Sequence, residues 1–188
     1  MPYTIKIKQG NLLNENNATF IVNASNTKLL LGTGVSMAFK HHCGIELQKE
    51  MTIKLDETGL LKKGDVVATS SANATNFKYA LHVAVMDYNK RVRGDHRKPF
   101  LEDIKNALIN IESYLQWYAD KKSSEGIKLV LPLMGCGVGG LDKVDVIKLY
   151  KKQFTNNIDF ECEVVVYGYD EDDYQLIQIF EQSRNLRL

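Results

Sequence analysis

Hydrophobic and polar residues alternate at the start of the chain. Tyr3, Ile5 and Ile7 are separated by Thr4, Lys6 and Lys8, the period of two that marks a strand with one buried face, ending at Gly10. This pattern predicts an edge strand. Phe20-Ile21-Val22 is apolar at consecutive positions, as in a strand covered on both faces, and Val66-Val67-Ala68, Tyr79 to Val85, Leu129-Val130-Leu131 and Val164 to Tyr167 repeat the feature. Between these runs the apolar spacing becomes helical. Leu47, Met51 and Leu55 precede Gly59, which suits a C-terminal cap. Leu101, Ile104, Leu108, Ile111, Leu115 and Tyr118 form the longest stripe, beginning just past Pro99 and running for about five turns. Asp142 stands where it would cap a helix carrying Val144, Val146, Ile147 and Tyr150, and Tyr174, Ile177 and Phe180 mark a last helix. About six strands interleaved with helices predict an α/β protein of three layers, α/β/α, with a mixed, largely parallel sheet.

Composition acts on this picture by exclusion. The chain has 188 residues, 44% hydrophobic and 25% charged, without a repeat or a low-complexity tract, so the expectation is one domain over residues 1–188. Twenty-four Lys and Arg against twenty-three Asp and Glu leave a net charge of +1, so a polyanion must be read by a local site rather than by a whole-molecule field. No apolar run approaches the roughly 20 residues that span a bilayer, and Met1 to Lys6 lacks the basic start and apolar core of a leader. A cytoplasmic protein with no membrane association is expected. The three cysteines, Cys43, Cys136 and Cys162, are widely spaced, which fits a reduced chain. His41-His42-Cys43 has the residue types of a metal site, but adjacent helical side chains point about 100° apart and cannot converge on one ion. Neither a metal nor a cofactor is expected.

Two loops carry the candidate chemistry. The first follows Val22 and runs from Asn23 through Gly32-Thr33-Gly34-Val35; the second follows Leu131 and runs from Pro132 to Asp142 with glycines at 135, 137, 139 and 140. Both lie past the carboxyl ends of strands, where open α/β sheets bind ligands, and both lead into helices whose first N–H groups and dipole favour anions. Neither has the lysine of a Walker loop or the spacing of a dinucleotide fingerprint. Facing one another, they would grip a diphosphate. A third segment, Asp87 to Pro99, sets Lys90, Arg91, Arg93, Arg97 and Lys98 against Asp87 and Asp95, and reads either as a solvated loop or as a polyanion contact.

The order of these motifs resembles the macrodomains, a family that binds ADP-ribose and its derivatives. The resemblance runs through Gly10-Asn11-Leu12, Ile21 to Asn26, Gly32-Thr33-Gly34-Val35 with Ala38, Lys63-Gly64-Asp65-Val66-Val67, His82, and Gly135 to Gly140, nearly the whole chain. It implies ADP-ribose, or a protein or nucleic acid carrying it, as the ligand, with no obligate protein partner. Asn11 matches the position, usually Asp, that accepts a hydrogen bond from the adenine amino group, and Leu12 and Val22 join it in the implied ligand-binding set. Tyr169 matches the aromatic that stacks on adenine, while Tyr167 lies on the same strand face and stays an alternative, as does a core role for Tyr169. Gly32, Thr33, Gly34 and Val35 match the first diphosphate loop, and Gly135, Cys136, Gly137, Val138 and Gly139 the second. Asn26 matches the asparagine at the distal ribose and is the one candidate catalytic residue. Asn23 reads as a loop brace and His82 as a hydrogen-bonded core histidine.

Departures from the family bear on catalysis. Hydrolytic macrodomains that remove ADP-ribosyl, O-acetyl or phosphate groups from the distal ribose carry Asp where this chain has Ser36, and an aromatic where it has Gly139. A second branch, the lysine- and aspartate-dependent deglycosylases, shares the Gly135-Cys136-Gly137-Val138 wording but has its Asp at the Gly139 position; the lysine it needs has a candidate in Lys90. Cys136 is a thiol on an anion loop, read here as packing rather than as a nucleophile. The sequence therefore implies an ADP-ribose binder resembling the Appr-1-p processing group, with hydrolysis at the distal ribose left open. The alternative is a module binding RNA or poly-ADP-ribose through the basic 90–98 loop.

Overall fold

The computed structural model describes residues 2–122 and 125–182. Its strands are β1 (Thr4–Gln9), β2 (Ala18–Asn26), β3 (Val66–Ser70), β4 (Phe77–Met86), β5 (Ile127–Pro132) and β6 (Cys162–Gly168). Its helices are α1 (Val35–Cys43), α2 (Ile45–Thr58), α3 (Leu101–Lys121), α4 (Lys143–Gln153) and α5 (Glu171–Gln182). All six expected strands are present in one sheet of order β1-β6-β5-β2-β4-β3. Every pairing is parallel except that of β3 with β4, which makes the sheet mixed and places β1 on an edge as its alternation predicts.

The two faces of the sheet make two cores. Phe20 and Val22 of β2, Leu81 and Val83 of β4 and Leu129 and Leu131 of β5 pack beneath Ile104, Leu108 and Ile111 of α3 and Val146 and Ile147 of α4. On the opposite face Ile21, Ala80, Val130 and Val165 meet Phe39 and Cys43 of α1 and Leu47 and Met51 of α2. This two-sided burial is why runs such as Phe20-Ile21-Val22 and Leu129-Val130-Leu131 are apolar at consecutive positions, each buried aliphatic or aromatic side chain contributing about 1.5–3 kcal/mol.

Local chemistry sets the helix starts. The Asp142 side chain accepts from the Asp145 N–H at 3.1 Å, and Asp103 accepts from the Phe100 N–H at 2.7 Å, which opens α3 directly after Pro99. On α5, Ile177 is buried as its spacing predicts, while the Phe180 side chain lies outside the described residues. Among the described residues no helix is long and apolar enough to cross a membrane.

Because β1, β6, β5, β2 and β4 run the same way, their carboxyl ends share one edge of the molecule. The segments that follow them, around Asn11, 27–34, 87–99, 133–142 and Tyr169, are therefore neighbours in space, and in such sheets this is where ligands bind.

Candidate functional site

Loop one is built by side-chain amides. At the end of β2, Asn26 Oδ1 accepts from the N–H groups of Lys28 (3.1 Å) and Leu30 (3.2 Å), and Asn26 Nδ2 donates to the Leu30 carbonyl at 2.9 Å. Gln48 of α2 donates to the Leu29 carbonyl at 2.9 Å and accepts from the Leu31 N–H at 2.8 Å. Leu29 and Leu31 are buried, so the loop is anchored up to residue 31, and Gly32, Thr33 and Gly34 then emerge into solvent. Gly34 caps α1 at φ 56° and ψ −133° without any side-chain cap bond. The first N–H groups of α1 are thus left facing outward, a ready anion site.

Loop two hangs on Tyr150 of α4. Its hydroxyl donates to the Pro132 carbonyl at 2.6 Å and accepts from the Met134 N–H at 3.0 Å. The loop closes on itself through Leu141 N–H to Gly135 O and Gly140 N–H to Gly137 O, both 3.0 Å. Gly137 and Val138 are exposed at its tip. A Cβ on Gly139 would fall on the Gly135 carbonyl oxygen and lie 2.9 Å from Pro99 Cγ, while one on Gly135 would lie 2.7 Å from Leu141 Cδ1. As the loop is packed, neither position has room for a side chain.

The basic segment bridges the two loops. At its start Thr27 donates to Asp87 Oδ1 at 3.1 Å and accepts from the Tyr88 N–H at 2.9 Å; at its end Pro99 seats against Gly135 and Gly139. Lys98 pairs with Asp95 at 3.2 Å, and Arg97 Nε donates to the Val92 carbonyl at 2.8 Å. Lys90, Arg91 and Arg93 are exposed and make no ion pair among the described residues.

At the opposite end the Gly10 N–H bonds the Gly168 carbonyl at 2.9 Å, and Asn11 Oδ1 accepts from the Leu13 N–H at 3.0 Å, keeping one lone pair free. Tyr169 is 82% exposed beside this segment. Tyr167 is only 8% exposed and donates to Glu15 at 2.9 Å. Lys8 and Lys128 hold the same carboxylate at 2.6 and 3.1 Å. The alternatives for the stacking aromatic are thereby separated: Tyr167 is a structural strut and Tyr169 is the free ring. Of the other two residues in the set, Val22 is wholly buried beside Leu81 of β4 and Leu12 is almost as buried, so only their backbone groups are placed to meet a ligand.

Ser36 is buried, and its hydroxyl donates to Asn23 Oδ1 at 2.9 Å, with no histidine or carboxylate among its hydrogen-bond partners to activate it as a general base. Cys136 is no better as a nucleophile: burial, assisted by Asp173, pushes its thiol up to about 12. Burial raises Cys43 and Cys162 to about 12 as well. Native protein at pH ~8 is expected to leave Ellman's reagent almost unreacted until denaturant exposes the thiols; a thiol that reacts within seconds in the native state would contradict this placement.

His82 is fully enclosed, and burial pushes it down to about 3. The folded chain then holds fewer protons than the unfolded one between that value and the ordinary imidazole pKa of about 6.5, so this contribution is complete above pH ~6.5 and is lost as the pH falls below it. Thermal midpoints are expected to decline progressively below pH ~6.5. His82→Gln, less stable at neutral pH, should lose less across the same range; equal losses would remove His82 as the cause.

Sequence reasoning missed Pro99, Thr27, Gln48 and Tyr150. Tyr150 was visible only as one apolar position of a stripe, and nothing in a charged loop marks its terminal proline as a wedge.

The three-layer α/β/α fold sets two glycine loops at the ends of the neighbouring strands β2 and β5, and comparison with known proteins places it in a family. The Macro domain family matches residues 22–150, and the chain belongs to that family. An uncharacterised protein of Sulfurisphaera tokodaii is 30% identical over 184 residues, covering 95% of this chain and 92% of its own. Among solved structures, the Oceanobacillus iheyensis macrodomain with ADP superposes with a TM-score of 0.79 at 22% identity, covering 100% of this chain and 94% of its own. The Trypanosoma brucei macrodomain in complex with ADP-ribose does so at 0.70 and 17%, covering 94% and 68%.

Proposed function

We propose that this protein binds ADP-ribose, free or attached to a macromolecule. The observation that carries the reading is the pair of glycine loops that follow β2 and β5, neighbouring strands of the sheet, the first of them opening a helix that has no side-chain cap. Two such cradles side by side suit two linked phosphates. The macrodomain structures solved with ADP and ADP-ribose support it. In this reading Gly32 to Val35 and Gly135 to Gly139 hold the diphosphate. Tyr169 stacks on adenine, and the free lone pair of Asn11 accepts from the adenine amino group. Asn26 turns its remaining amide hydrogen to the distal ribose. Three reduced thiols suit a cytoplasmic location.

With Ser36 committed to Asn23 and glycine fixed at 139, binding is better supported than turnover. Hydrolysis of a group on the distal ribose would rely on Asn26 to orient a water. Assays with O-acetyl-ADP-ribose, distal-ribose phosphate and ADP-ribosylated protein decide this; release by any of them assigns an activity, and none confines the protein to binding. A thermal shift tests the binding itself: ADP-ribose at about 100 times Kd should stabilise the fold by about 2.7 kcal/mol, roughly 5–10 °C, and no shift would sink the proposal.

The carrier of the ADP-ribose is best read as a polyanion, because Lys90, Arg91 and Arg93 are exposed and make no ion pair among the described residues, on a segment pinned to Thr27, next to Asn26. An ADP-ribosylated oligonucleotide should bind more tightly than free ADP-ribose at low salt. Neutralising Arg91 and Arg93 together should reduce the salt slope by about 2. Equal slopes for free and nucleic-acid-bound ADP-ribose would return the loop to a solvated role.

A further inference from the structure

A row of four buried polar side chains crosses one layer of the molecule, from the outer strand β3 to the first turn of α1. Thr69, His82, Asn23 and Ser36 are each at most 4% exposed. Ser36 Oγ lies 2.9 Å from Asn23 Oδ1, Asn23 Nδ2 lies 3.0 Å from His82 Nδ1, and His82 Nε2 lies 2.8 Å from Thr69 Oγ1. Thr69 in turn donates to the Ser70 carbonyl at 2.9 Å. The proton directions follow. An amide oxygen only accepts, so Ser36 donates; an amide nitrogen only donates, so His82 Nδ1 accepts and the neutral ring carries its proton on Nε2, aimed at Thr69. The reverse sense would ask the one Thr69 proton to serve both His82 and the Ser70 carbonyl.

The row ends where loop one needs it. Gly34 supplies no side-chain cap, and Gly32 to Gly34 are solvent-exposed, so the opening turn of α1 is not fixed by its own cap. Val35 and Ala38 are only partly buried against the core, and the fully buried anchors Phe39 and Cys43 come further along the helix. Within the opening turn Ser36 is the side chain both buried and hydrogen-bonded to the sheet, through Asn23 Oδ1, with the Ala24 carbonyl at 3.3 Å a more distant acceptor for the same proton.

We infer that the Thr69–His82–Asn23–Ser36 row is a positioning device for the anion loop. It holds the Val35 and Ser36 N–H groups in register with the ligand, so that a side chain on the far strand tunes affinity without touching what is bound. The functional consequence rests on the ADP-ribose reading. The mechanical one does not, because each hydrogen bond constrains the next along a packed, buried path.

The test combines calorimetric titration of ADP-ribose with amide hydrogen exchange on the intact protein and on Thr69→Val, Ser36→Ala and Ser36→Thr. Ser36→Ala should weaken ADP-ribose binding about tenfold, the effect of one lost hydrogen bond of about 1.4 kcal/mol, while stoichiometry stays near that of the parent. Ser36→Thr keeps the hydroxyl and should stay within about twofold. Thr69→Val should give part of the loss, about fivefold, and should accelerate exchange at residues 35–37. A merely structural role would lower thermal stability and stoichiometry yet leave the Kd of the folded fraction and exchange in α1 unchanged; that outcome in Thr69→Val and Ser36→Ala overturns the inference. If the parent protein binds no ADP-ribose, the functional proposal falls, and exchange at 35–37 alone decides the row.

Discussion

Gly34→Val is expected to weaken ADP-ribose binding about a hundredfold in a protein that still folds. Gly34 sits at φ 56° and ψ −133°, a region closed to β-branched residues, while a Cβ there meets no protein atom within 4 Å. The cost is therefore backbone strain of about 1–3 kcal/mol and not a clash with the core. The chain can relieve that strain only by reshaping the opening of α1. This withdraws the N–H groups meant for a phosphate, and the new isopropyl group occupies the open volume that the ligand needs. Titration of the folded variant measures the effect, and a Kd within threefold of the parent would mean that loop one does not hold the diphosphate.

Gly139→Asp, which would recreate the acid found in one hydrolytic branch, is expected to destabilise the protein and to confer no activity. The added Cβ runs into the Gly135 carbonyl and Pro99, and the Gly135 carbonyl is itself engaged by the Leu141 N–H. Overpacking of this kind costs about 1–3 kcal/mol, or roughly 2–10 °C in thermal midpoint for a chain of this size. Because Pro99 is one of the obstructing groups, Pro99→Ala should recover part of the loss in Gly139→Ala, a non-additivity that a double-mutant cycle reads directly. Strict additivity would show that Pro99 and loop two are not packed as described.

The fold was legible because the strands and the longer helices each keep one hydrophobic period along their length. Strand β2 reads as a continuous apolar run since α1 and α2 cover one side of it and α3 the other, and α4 starts at Asp142 because that carboxylate bonds the Asp145 N–H. The glycine loops were legible for the same local reason, as clusters of residues that only a turn or a ligand would require. Contacts across the sheet were not legible. Nothing local distinguishes Tyr167 from Tyr169, two residues apart; what separates them is Glu15, which reaches Tyr167 from the other end of the chain. Ser36 reads as a weakened catalytic residue until Asn23 is seen to accept its proton. The burial of Val22 and the wedge formed by Pro99 likewise depend on elements remote in sequence.

Whether two loops jointly hold a diphosphate is decided by calorimetric titration with ADP-ribose, alongside AMP and ribose 5-phosphate. Micromolar ADP-ribose binding is expected, about −8 kcal/mol, with each fragment weaker by about a hundredfold or more, because each engages only one cradle. No detectable heat with ADP-ribose, or fragments that bind as tightly as the whole ligand, would contradict it.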